Sequence, residues 1–484
     1  MVTKLVHDNC GVVGIFSLNG HNVIPFVIDS LRALQHRGQE AWGIAVPRKP
    51  PFRRLGLVSS AAVEFPMVMK KYKSPAAIGH VRYSTLGKST LENAQPLKVK
   101  DLCVAHNGTI ANVEELSGMV GGCTFTPQTM SDTLVAAQRL AMHLADKKDN
   151  MAEAMHILKS EMVGSFCFTF LTDEGSVYAA RDTRGFRPLV LGHHKETNTY
   201  MVASESCALA AVGAQLLRDV EPGELIKMSK GSIESQQFAN EKPHAHCAFE
   251  YTYFAHPSSI MEGINIYAAR KRIGQFLAKK FLIDGADVVV PVPDSARPAA
   301  LGYAQELGLP FEEGLLKDRY IAKKGSMRSF IEPYQDDRVE INKGIIPIRE
   351  VVEGKHVVVV DDSIVRGTSS AEIIKTLRSV GARKISLVVT YPPIRYPCYA
   401  GIDFPSQEEL VAYRHGSDEQ NNSKIGARVA QVIGAEYVAY NDTANLAKAI
   451  GMPEEELCFT CSTGNYAPLG IRPVFKSRIK MKGE

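Results

Sequence analysis

Two adjacent carboxylates, Asp361 and Asp362, directly follow a run of four valines in this 484-residue chain. A short β-branched apolar run is typical of a strand that is buried on both faces. The residues that follow the acids are small or polar apart from one arginine, and they include Ser363, Arg366, Gly367, Thr368 and Ser369. Ligands of open α/β sheets bind beyond the carboxyl end of a strand. The pattern therefore predicts a phosphate site, because backbone N–H groups at the start of a helix favour anions.

The elements that would position this site can be read on either side of it. A helical pattern runs from Ala371 to Val380, and Gly381 is placed to end it. Residues 286–308 repeat the order of apolar strand, turn and helix, and Ser295 lies in that turn. The segment 317–338 is rich in basic residues, which favours a cationic lid over phosphates, with an ordinary solvated loop as the alternative.

Cys10 is the second residue whose position could support chemistry, because only nine residues precede it. If residues 1–9 are removed as a propeptide, its α-amino group, with a pKa of about 7.7–8.0, can serve as base for its own thiol. A small buried cysteine is the alternative. Five polar clusters follow it between apolar runs, and each is predicted to be a loop at a strand end: 34–44, 79–85, 93–96, 105–112 and 131–133.

In these clusters and their order, residues 10–240 resemble the glutaminase domain of the N-terminal-nucleophile amidotransferases. The resemblance implies a four-layer αββα sandwich of the Ntn-hydrolase type. It also implies that Cys10 attacks the side-chain amide of glutamine, releases ammonia and forms a glutamyl thioester. Asn107 and the N–H of Gly108 would form the oxyanion hole, in which one donor is worth roughly 3 kcal/mol of barrier.

The same resemblance assigns the two ends of the glutamine substrate. Arg82 would hold its α-carboxylate in a charge-assisted fork, and Asp132 would hold its α-ammonium group. For Arg82 the alternative is a surface salt bridge. For Asp132 the alternative is an N-cap of the helix that follows it.

The stretch from Asp361 resembles the signature of the type I phosphoribosyltransferases, which bind phosphoribosyl diphosphate (PRPP). The resemblance implies that residues 241–484 form an α/β domain with a Rossmann-like parallel sheet and a C-terminal extension that contains cysteines. Asp361 and Asp362 would engage the ribose hydroxyls and one Mg²⁺ ion per subunit, with Ser295 as a third protein contact to the metal. Ser363 to Ser369 would cradle the 5-phosphate.

Four cysteines near or within the second half pose a separate question: Cys247, Cys398, Cys458 and Cys461. The last two form a C-x-x-C motif, which alone is compatible with zinc, redox chemistry or simple burial. In the resemblance, the four positions match the ligands of one [4Fe–4S] cluster per subunit, and four thiolates suit such a cluster.

Composition sets the remaining expectations. Hydrophobic residues make up 45% of the chain, charged residues 22%, and the net charge is +4, which is ordinary for a globular protein and does not favour nucleic acid. The absence of a long apolar run predicts no membrane partner and, by default, a cytoplasmic protein. The combined resemblance implies a homo-oligomer, a tetramer or dimer, that is inhibited by purine nucleotides.

Together, the two resemblances imply an enzyme that transfers ammonia from glutamine to PRPP. The products would be 5-phosphoribosylamine, glutamate and diphosphate, in the first committed step of purine synthesis. One alternative is an amidotransferase with a sugar-isomerase half, which the Asp361–Asp362 stretch disfavours. The other is a PRPP-sensing regulatory protein without catalysis, for which Cys10, Arg82 and Asp132 would have no use.

Overall fold

The computed structural model describes residues 10–83, 90–121, 131–147, 149–317, 344–402, 404, 406–417 and 419–470. The predicted propeptide and nearly all of the predicted lid lie outside these ranges. Every helix within them is too short or too polar to cross a bilayer.

Two antiparallel sheets form the first half of the described chain. Their strands are β1 (Gly11–Ser17), β2 (Ala41–Ala45), β3 (Phe52–Leu55), β4 (Ala76–Arg82), β5 (Leu97–Val99), β6 (Leu102–Ile110), β7 (Gly164–Thr172), β8 (Val177–Arg181), β9 (Val190–His194), β10 (Thr199–Ala203), β11 (Gln215–Asp219), β12 (Glu224–Ser229) and β13 (Ser232–Gln237). One sheet has the order β11–β9–β10–β1–β4–β2–β3, and the other has the order β13–β12–β8–β7–β6–β5.

The helices of this half cover the outer faces of the two sheets. They are α1 (Ile24–Ala33), α2 (Phe65–Lys71), α3 (Val113–Gly118), α4 (Asp132–Asp146), α5 (Met151–Glu161) and α6 (Ser206–Ala210). Strand β1 shows the arrangement: Val13 and Ile15 pack with α1 and α6, whereas Val12 and Phe16 lie in the core between the sheets. This alternation follows from the two-residue period of a strand. Helices α3, α4 and α5 cover the other sheet, so the predicted four-layer sandwich is confirmed.

Short strands and eight further helices follow in the described second half. The strands are β14 (His246–Cys247), β15 (Ile260–Met261), β16 (Ile264–Asn265), β17 (Val288–Pro291), β18 (Leu315–Lys317), β19 (Ile345–Pro347), β20 (His356–Asp361), β21 (Lys384–Val389), β22 (Tyr437–Tyr440) and β23 (Leu457–Cys458). The helices are α7 (Ile266–Lys280), α8 (Arg297–Leu307), α9 (Arg349–Val352), α10 (Thr368–Ser379), α11 (Val411–Arg414), α12 (Asn422–Ile433), α13 (Thr443–Ile450) and α14 (Thr460–Thr463).

The central sheet of this half is parallel, with the order β17–β20–β21–β22. Val358 and Val360 of β20 pack with α7 and α8, and Val357 and Val359 pack with α10 and α12. The valine run is therefore buried on both faces, as its composition predicts. The parallel α/β architecture predicted for this half is confirmed.

Helix α10 begins three residues earlier than the sequence pattern predicts. It starts at Thr368, and the preceding Gly367 adopts a left-handed backbone with φ of +84°. Glycine takes this conformation without the steric cost that a Cβ imposes. The turn can therefore pass directly from the acidic pair into the helix.

A buried histidine links the two sheets of the sandwich and should make the protein sensitive to acid. His80 of β4 is fully buried, and its Nε2 donates to the carbonyl of His106 on β6 at 3.1 Å. Burial is the main reason that the pKa of His80 falls to about 3. Between that pKa and the ordinary value of about 6.5, the unfolded chain binds a proton that the folded protein excludes, so stability falls as the pH falls.

We expect His80→Gln, which can still donate to the carbonyl, to lessen this dependence. Between pH 7 and pH 5 the wild type should lose about 2 kcal/mol of unfolding free energy more than the variant loses. Urea unfolding at both pH values measures the difference. Parallel pH profiles for the two proteins would contradict the assignment.

Candidate active site

Cys10 directly precedes β1, a central strand of the seven-stranded sheet, and its side chain is fully buried. Because Gly11 pairs with Val81 on β4, Cys10 lies across from Arg82 at the end of that strand. The N–H of Cys10 lies 3.4 Å from Oδ1 of Asn107, and its carbonyl accepts a 2.9 Å hydrogen bond from Nε of Arg37. The backbone of the candidate nucleophile is therefore held on both sides.

Asn107 and Gly108 lie within β6, so the prediction of a loop at 105–112 was wrong for most of its length. The same holds for 79–82, which belongs to β4. Nδ2 of Asn107 donates to Oγ of Ser204 at 3.5 Å, and that hydroxyl also accepts the N–H of Val12 at 2.9 Å. Ser204 thus holds Asn107 beside β1, a role that the sequence did not reveal.

Gly108 lies too close to the neighbouring strand for any side chain. A Cβ at this position would lie 2.2 Å from the carbonyl oxygen of Ser165 and 2.8 Å from Cα of Phe166. Glycine is therefore required by the close approach of β7. This steric requirement is independent of the predicted role of the Gly108 N–H in the oxyanion hole.

Asp132 is fully buried at the first position of α4. Its Oδ2 accepts the N–H of Ile110 at 3.1 Å, and its Oδ1 accepts the N–H of Thr133 at 2.7 Å. The N-cap alternative was wrong, because Ser131 is the capping residue and accepts the N–H of Leu134. The carboxylate of Asp132 is instead fixed at the end of β6, the strand that also carries Asn107.

Arg82 has only 5% of its surface exposed. The alternative of a surface salt bridge was therefore wrong. Gln95, from the cluster at 93–96, supports the same region: its Oε1 accepts the N–H of His106, and its Nε2 donates to Oγ1 of Thr133 at 3.0 Å. Gln95 thereby ties β6 to the start of α4.

Gly38 lets the loop after α1 pack against the backbone of Arg82. A Cβ here would lie 2.5 Å from the carbonyl carbon of Val81 and 2.6 Å from the nitrogen of Arg82. We expect Gly38→Ala to displace Arg82, destabilise the protein by about 1–3 kcal/mol and raise the KM for glutamine. Thermal unfolding and steady-state kinetics measure both effects.

Gly118 offers a matched control for that substitution. A Cβ at Gly118 would meet no atom within 4 Å, so Gly118→Ala should leave both quantities unchanged. A Gly38→Ala protein with the KM of the wild type would show that the loop does not position Arg82.

The acidic pair of the second half ends β20, as predicted. Asp362 is buried, its carboxylate accepts a hydrogen bond from Oγ of Ser295, and its carbonyl accepts from Oγ1 of Thr390 at 3.2 Å. Burial and the neighbouring Asp362 carboxylate raise the pKa of Asp361 to about 8. Two carboxylates and a hydroxyl form an all-oxygen donor set, which fits Mg²⁺.

The turn after the pair presents backbone donors. Within the part of the chain that the structure describes, the N–H groups of Ile364, Val365 and Gly367 donate to no other group. They precede the 12-residue helix α10, whose N-terminus adds a favourable dipole. Such donors could bind a phosphate group, so the phosphate cradle stays a prediction. Within the same turn, Nε of Arg366 donates to Glu409 at 2.8 Å.

The four cysteines of the proposed cluster set converge in one buried region. Cys247 and Cys458 pair directly across β14 and β23. Cys461 lies in α14, and its sulfur is 3.3 Å from the hydroxyl of Tyr391. Cys398 belongs to the same hydrophobic cluster. No disulfide forms among the described cysteines. Burial raises the pKa of Cys458 to about 11.

Comparison with known proteins covers both halves. A model of the glutamine amidotransferase domain matches residues 80–211, and a model of the phosphoribosyl transferase domain matches residues 263–401. An amidophosphoribosyltransferase of Archaeoglobus fulgidus is 40% identical over 471 residues, covering 94% of this chain and 97% of the relative. The Bacillus subtilis enzyme of that name is 37% identical over 483 residues, covering 96% of this chain and 95% of the relative.

Solved structures agree over the same length. One is described as the allosteric regulatory enzyme of purine biosynthesis; it has a TM-score of 0.81 at 36% identity and covers 94% of this chain and 96% of its own. Another is glutamine PRPP amidotransferase from B. subtilis complexed with ADP and GMP, with a TM-score of 0.80 at 36% identity, covering 94% of this chain and 97% of its own. This chain therefore belongs to the amidophosphoribosyltransferase family.

Proposed function

We propose that this chain hydrolyses glutamine at Cys10 and transfers the ammonia to PRPP, giving 5-phosphoribosylamine, glutamate and diphosphate. One observation supports the proposal above all: a single chain carries a held cysteine beside Asn107 and Arg82 and also an acidic pair before a phosphate cradle. The relatives that match 94% of the chain carry the same name, which favours this function over the regulatory and isomerase alternatives.

Each half of the chain carries one of the two reactions. We place the glutaminase in residues 10–240 and the phosphoribosyltransferase in residues 241–484. In the first half, removal of residues 1–9 exposes the α-amine of Cys10, and this amine takes the thiol proton as the sulfur attacks the amide carbonyl. The proton passes to the leaving nitrogen, ammonia departs, and water then cleaves the thioester to glutamate.

The resemblance assigns the substrate contacts in the glutaminase, and the burial of both charged side chains supports them. The Arg82 guanidinium binds the α-carboxylate, and Asp132 binds the α-ammonium group. The oxyanion that develops during attack is stabilised by Nδ2 of Asn107 and the N–H of Gly108. Ser204 orients the Asn107 side chain, so the donor is held in place before the reaction begins.

The second half binds PRPP at the end of β20. Asp361 and Asp362 hold the ribose hydroxyls. Together with Ser295 they would hold Mg²⁺, which would neutralise the charge of the diphosphate leaving group. The turn from Ser363 to Ser369, including Thr368, binds the 5-phosphate. Ammonia attacks C1 of the ribose as diphosphate departs.

We also propose one [4Fe–4S] cluster per subunit on Cys247, Cys398, Cys458 and Cys461. Its role is structural or oxygen-sensing.

Anaerobically purified protein should show visible absorbance near ~410 nm and contain about four irons per chain. Colourless, iron-free protein from the same preparation would contradict the proposal.

Nucleotide regulation and assembly complete the proposal. The related B. subtilis structure contains ADP and GMP, which supports inhibition of this chain by purine nucleotides. We propose that the chain acts within a homo-oligomer, a tetramer or dimer.

The test of the main function is a coupled assay for diphosphate and glutamate. Both products should form only when glutamine and PRPP are both present, whereas glutamate production that ignores PRPP and yields no diphosphate would contradict the function.

A further inference from the structure

A buried network of four charged side chains connects Cys10 to the second half of the chain. It consists of Arg37, Glu205, Glu250 and Arg187, each with no more than 3% of its surface exposed. Two guanidiniums and two carboxylates balance in charge. Charged groups in such a dry setting must be paired, since burial of a lone charge is very costly.

Arg37 is the member of the network that touches the nucleophile. Its Nε donates to the carbonyl of Cys10 at 2.9 Å. Its Nη1 and Nη2 donate to the two carboxylate oxygens of Glu250, at 3.0 and 2.6 Å, in a bidentate fork. A planar guanidinium held at both terminal nitrogens has little freedom to rotate. The direction of its Nε–H, and so the position of the Cys10 carbonyl, depends on Glu250.

Glu250 belongs to the second half of the chain, 213 residues beyond Arg37. It opens a π-helical turn, Glu250–Phe254, a rare element that occurs frequently at functional sites. Although burial acts to raise the pKa of Glu250, Arg37 and Arg187 hold it below its ordinary value, so the side chain is a carboxylate. It thus offers both oxygens as acceptors.

Arg187 extends the network toward the cysteine region. Its Nη1 donates to Glu250 at 2.8 Å, and its Nη2 donates to the carbonyl of Gly401, three residues after Cys398. A continuous line of hydrogen-bonded groups therefore runs from the Cys10 carbonyl to the segment that carries Cys398.

Glu205 holds the other side of Arg37. Its Oε1 accepts from Nη1 of Arg37 at 2.5 Å and from Nε2 of His36 at 2.8 Å. The donor atoms of His36, Glu205 and Cys207 lie within 4.8 Å of one another, a spacing that would suit a metal ion. The other Glu205 oxygen already accepts the N–H of His256 and the hydroxyl of Ser259, so this group acts as hydrogen-bond support for Arg37.

We propose that Glu250 is a positioning residue for glutamine hydrolysis. Through the Arg37 fork, Glu250 sets the position of Cys10, so the glutaminase site depends on the second half of the chain. The inference rests on the proposed function, in which Cys10 is the nucleophile. Displacement of the nucleophile lowers the reaction rate steeply, since a shift of about 1 Å reduces the rate by about 100-fold. The phosphoribosyl site contains no member of this network and should not respond.

The test compares Glu250→Gln with Glu262→Gln in the full-length enzyme. Glu262 is the control, because it pairs with the buried Arg181 of the first half at 2.7 Å and bonds to none of the four network side chains. Arg181 reaches the network through the backbone carbonyl of Arg187 and not through a side chain. For each variant, kcat/KM is measured with glutamine and with ammonia as nitrogen source. Glu250→Gln should lower the glutamine value by about 100-fold and leave the ammonia value unchanged. Glu262→Gln should leave both unchanged.

The second readout is the rate at which iodoacetamide alkylates Cys10, followed by peptide mass analysis across a pH series. Glu250→Gln should change this rate profile, and Glu262→Gln should not. If Glu250→Gln does not fold, Arg37→Lys keeps a positive charge between the carboxylates but removes the fork, and it should give the same split between nitrogen sources.

Two results would overturn the inference. One is a Glu250→Gln enzyme whose glutamine and alkylation kinetics equal those of the wild type. The other is an equal loss of glutamine-dependent and ammonia-dependent activity, which indicates a general structural role. Failure of the proposed function looks different, because glutamine use would then persist in Cys10→Ala.

Discussion

Cys10→Ala is expected to abolish glutamine-dependent synthesis and to spare synthesis from ammonia. In the proposed mechanism the thiol forms the covalent bond to the substrate, and loss of a nucleophile typically costs more than about 1,000-fold in kcat. In the proposed mechanism, the phosphoribosyl site lies in the other half of the chain and accepts free ammonia directly. Initial rates of diphosphate release with each nitrogen source measure the split.

The matched control for this substitution is Cys103→Ala. Cys103 is buried in the core between the two sheets, so this change also removes a buried thiol from the sandwich but should retain glutamine use. Intact mass analysis of the wild type should find Cys10 as the first residue. Persistent glutamine use in Cys10→Ala, or full activity in a protein that retains Met1, would contradict the N-terminal-nucleophile assignment.

Asp362→Asn should reduce activity with both nitrogen sources. This substitution removes the charge of a carboxylate that is buried beside Asp361 and bonded to Ser295. We expect kcat/KM for PRPP to fall by about 100-fold, equivalent to ~2.7 kcal/mol of transition-state stabilisation. Kinetics at several Mg²⁺ concentrations should show that excess metal restores part of the loss.

An exposed aspartate of the same half provides the comparison. Asp284 is exposed to solvent, so Asp284→Asn makes the same chemical change away from the proposed site and should be silent. Equal PRPP kinetics for Asp362→Asn and the wild type would remove Asp362 from the site. If Asp362→Asn lowered only the glutamine-dependent activity, Asp362 would belong to the glutaminase reaction instead.

Local sequence patterns predicted the second half well. Four consecutive β-branched residues, Val357 to Val360, specify a strand buried on both faces, and the acidic pair falls at its end. The start of α10 was placed three residues too late, because the left-handed turn at Gly367 admits the helix immediately. Backbone geometry at a glycine depends on contacts that a helical pattern does not contain.

The first half was harder to predict at its motifs. Polar residues such as Asn107 were expected in loops, but β6 carries them inside the sheet, where Ser204 satisfies the amide. Tertiary partners overrode the local preference of these residues for turns. The Arg37–Glu250 pair was missed, since its members lie 213 positions apart. Arg37 lies in the polar cluster 34–44, but nothing in that cluster identifies Glu250 as its partner.

An isotope measurement can show whether nitrogen passes from glutamine to PRPP within this protein. Glutamine labelled with ¹⁵N in its side-chain amide is supplied together with PRPP and an excess of unlabelled ammonia at a pH that keeps it mostly as ammonium. We expect ¹⁵N in the phosphoribosylamine, with one glutamate formed for each diphosphate. Unlabelled product, or glutamate that forms without diphosphate, would contradict it.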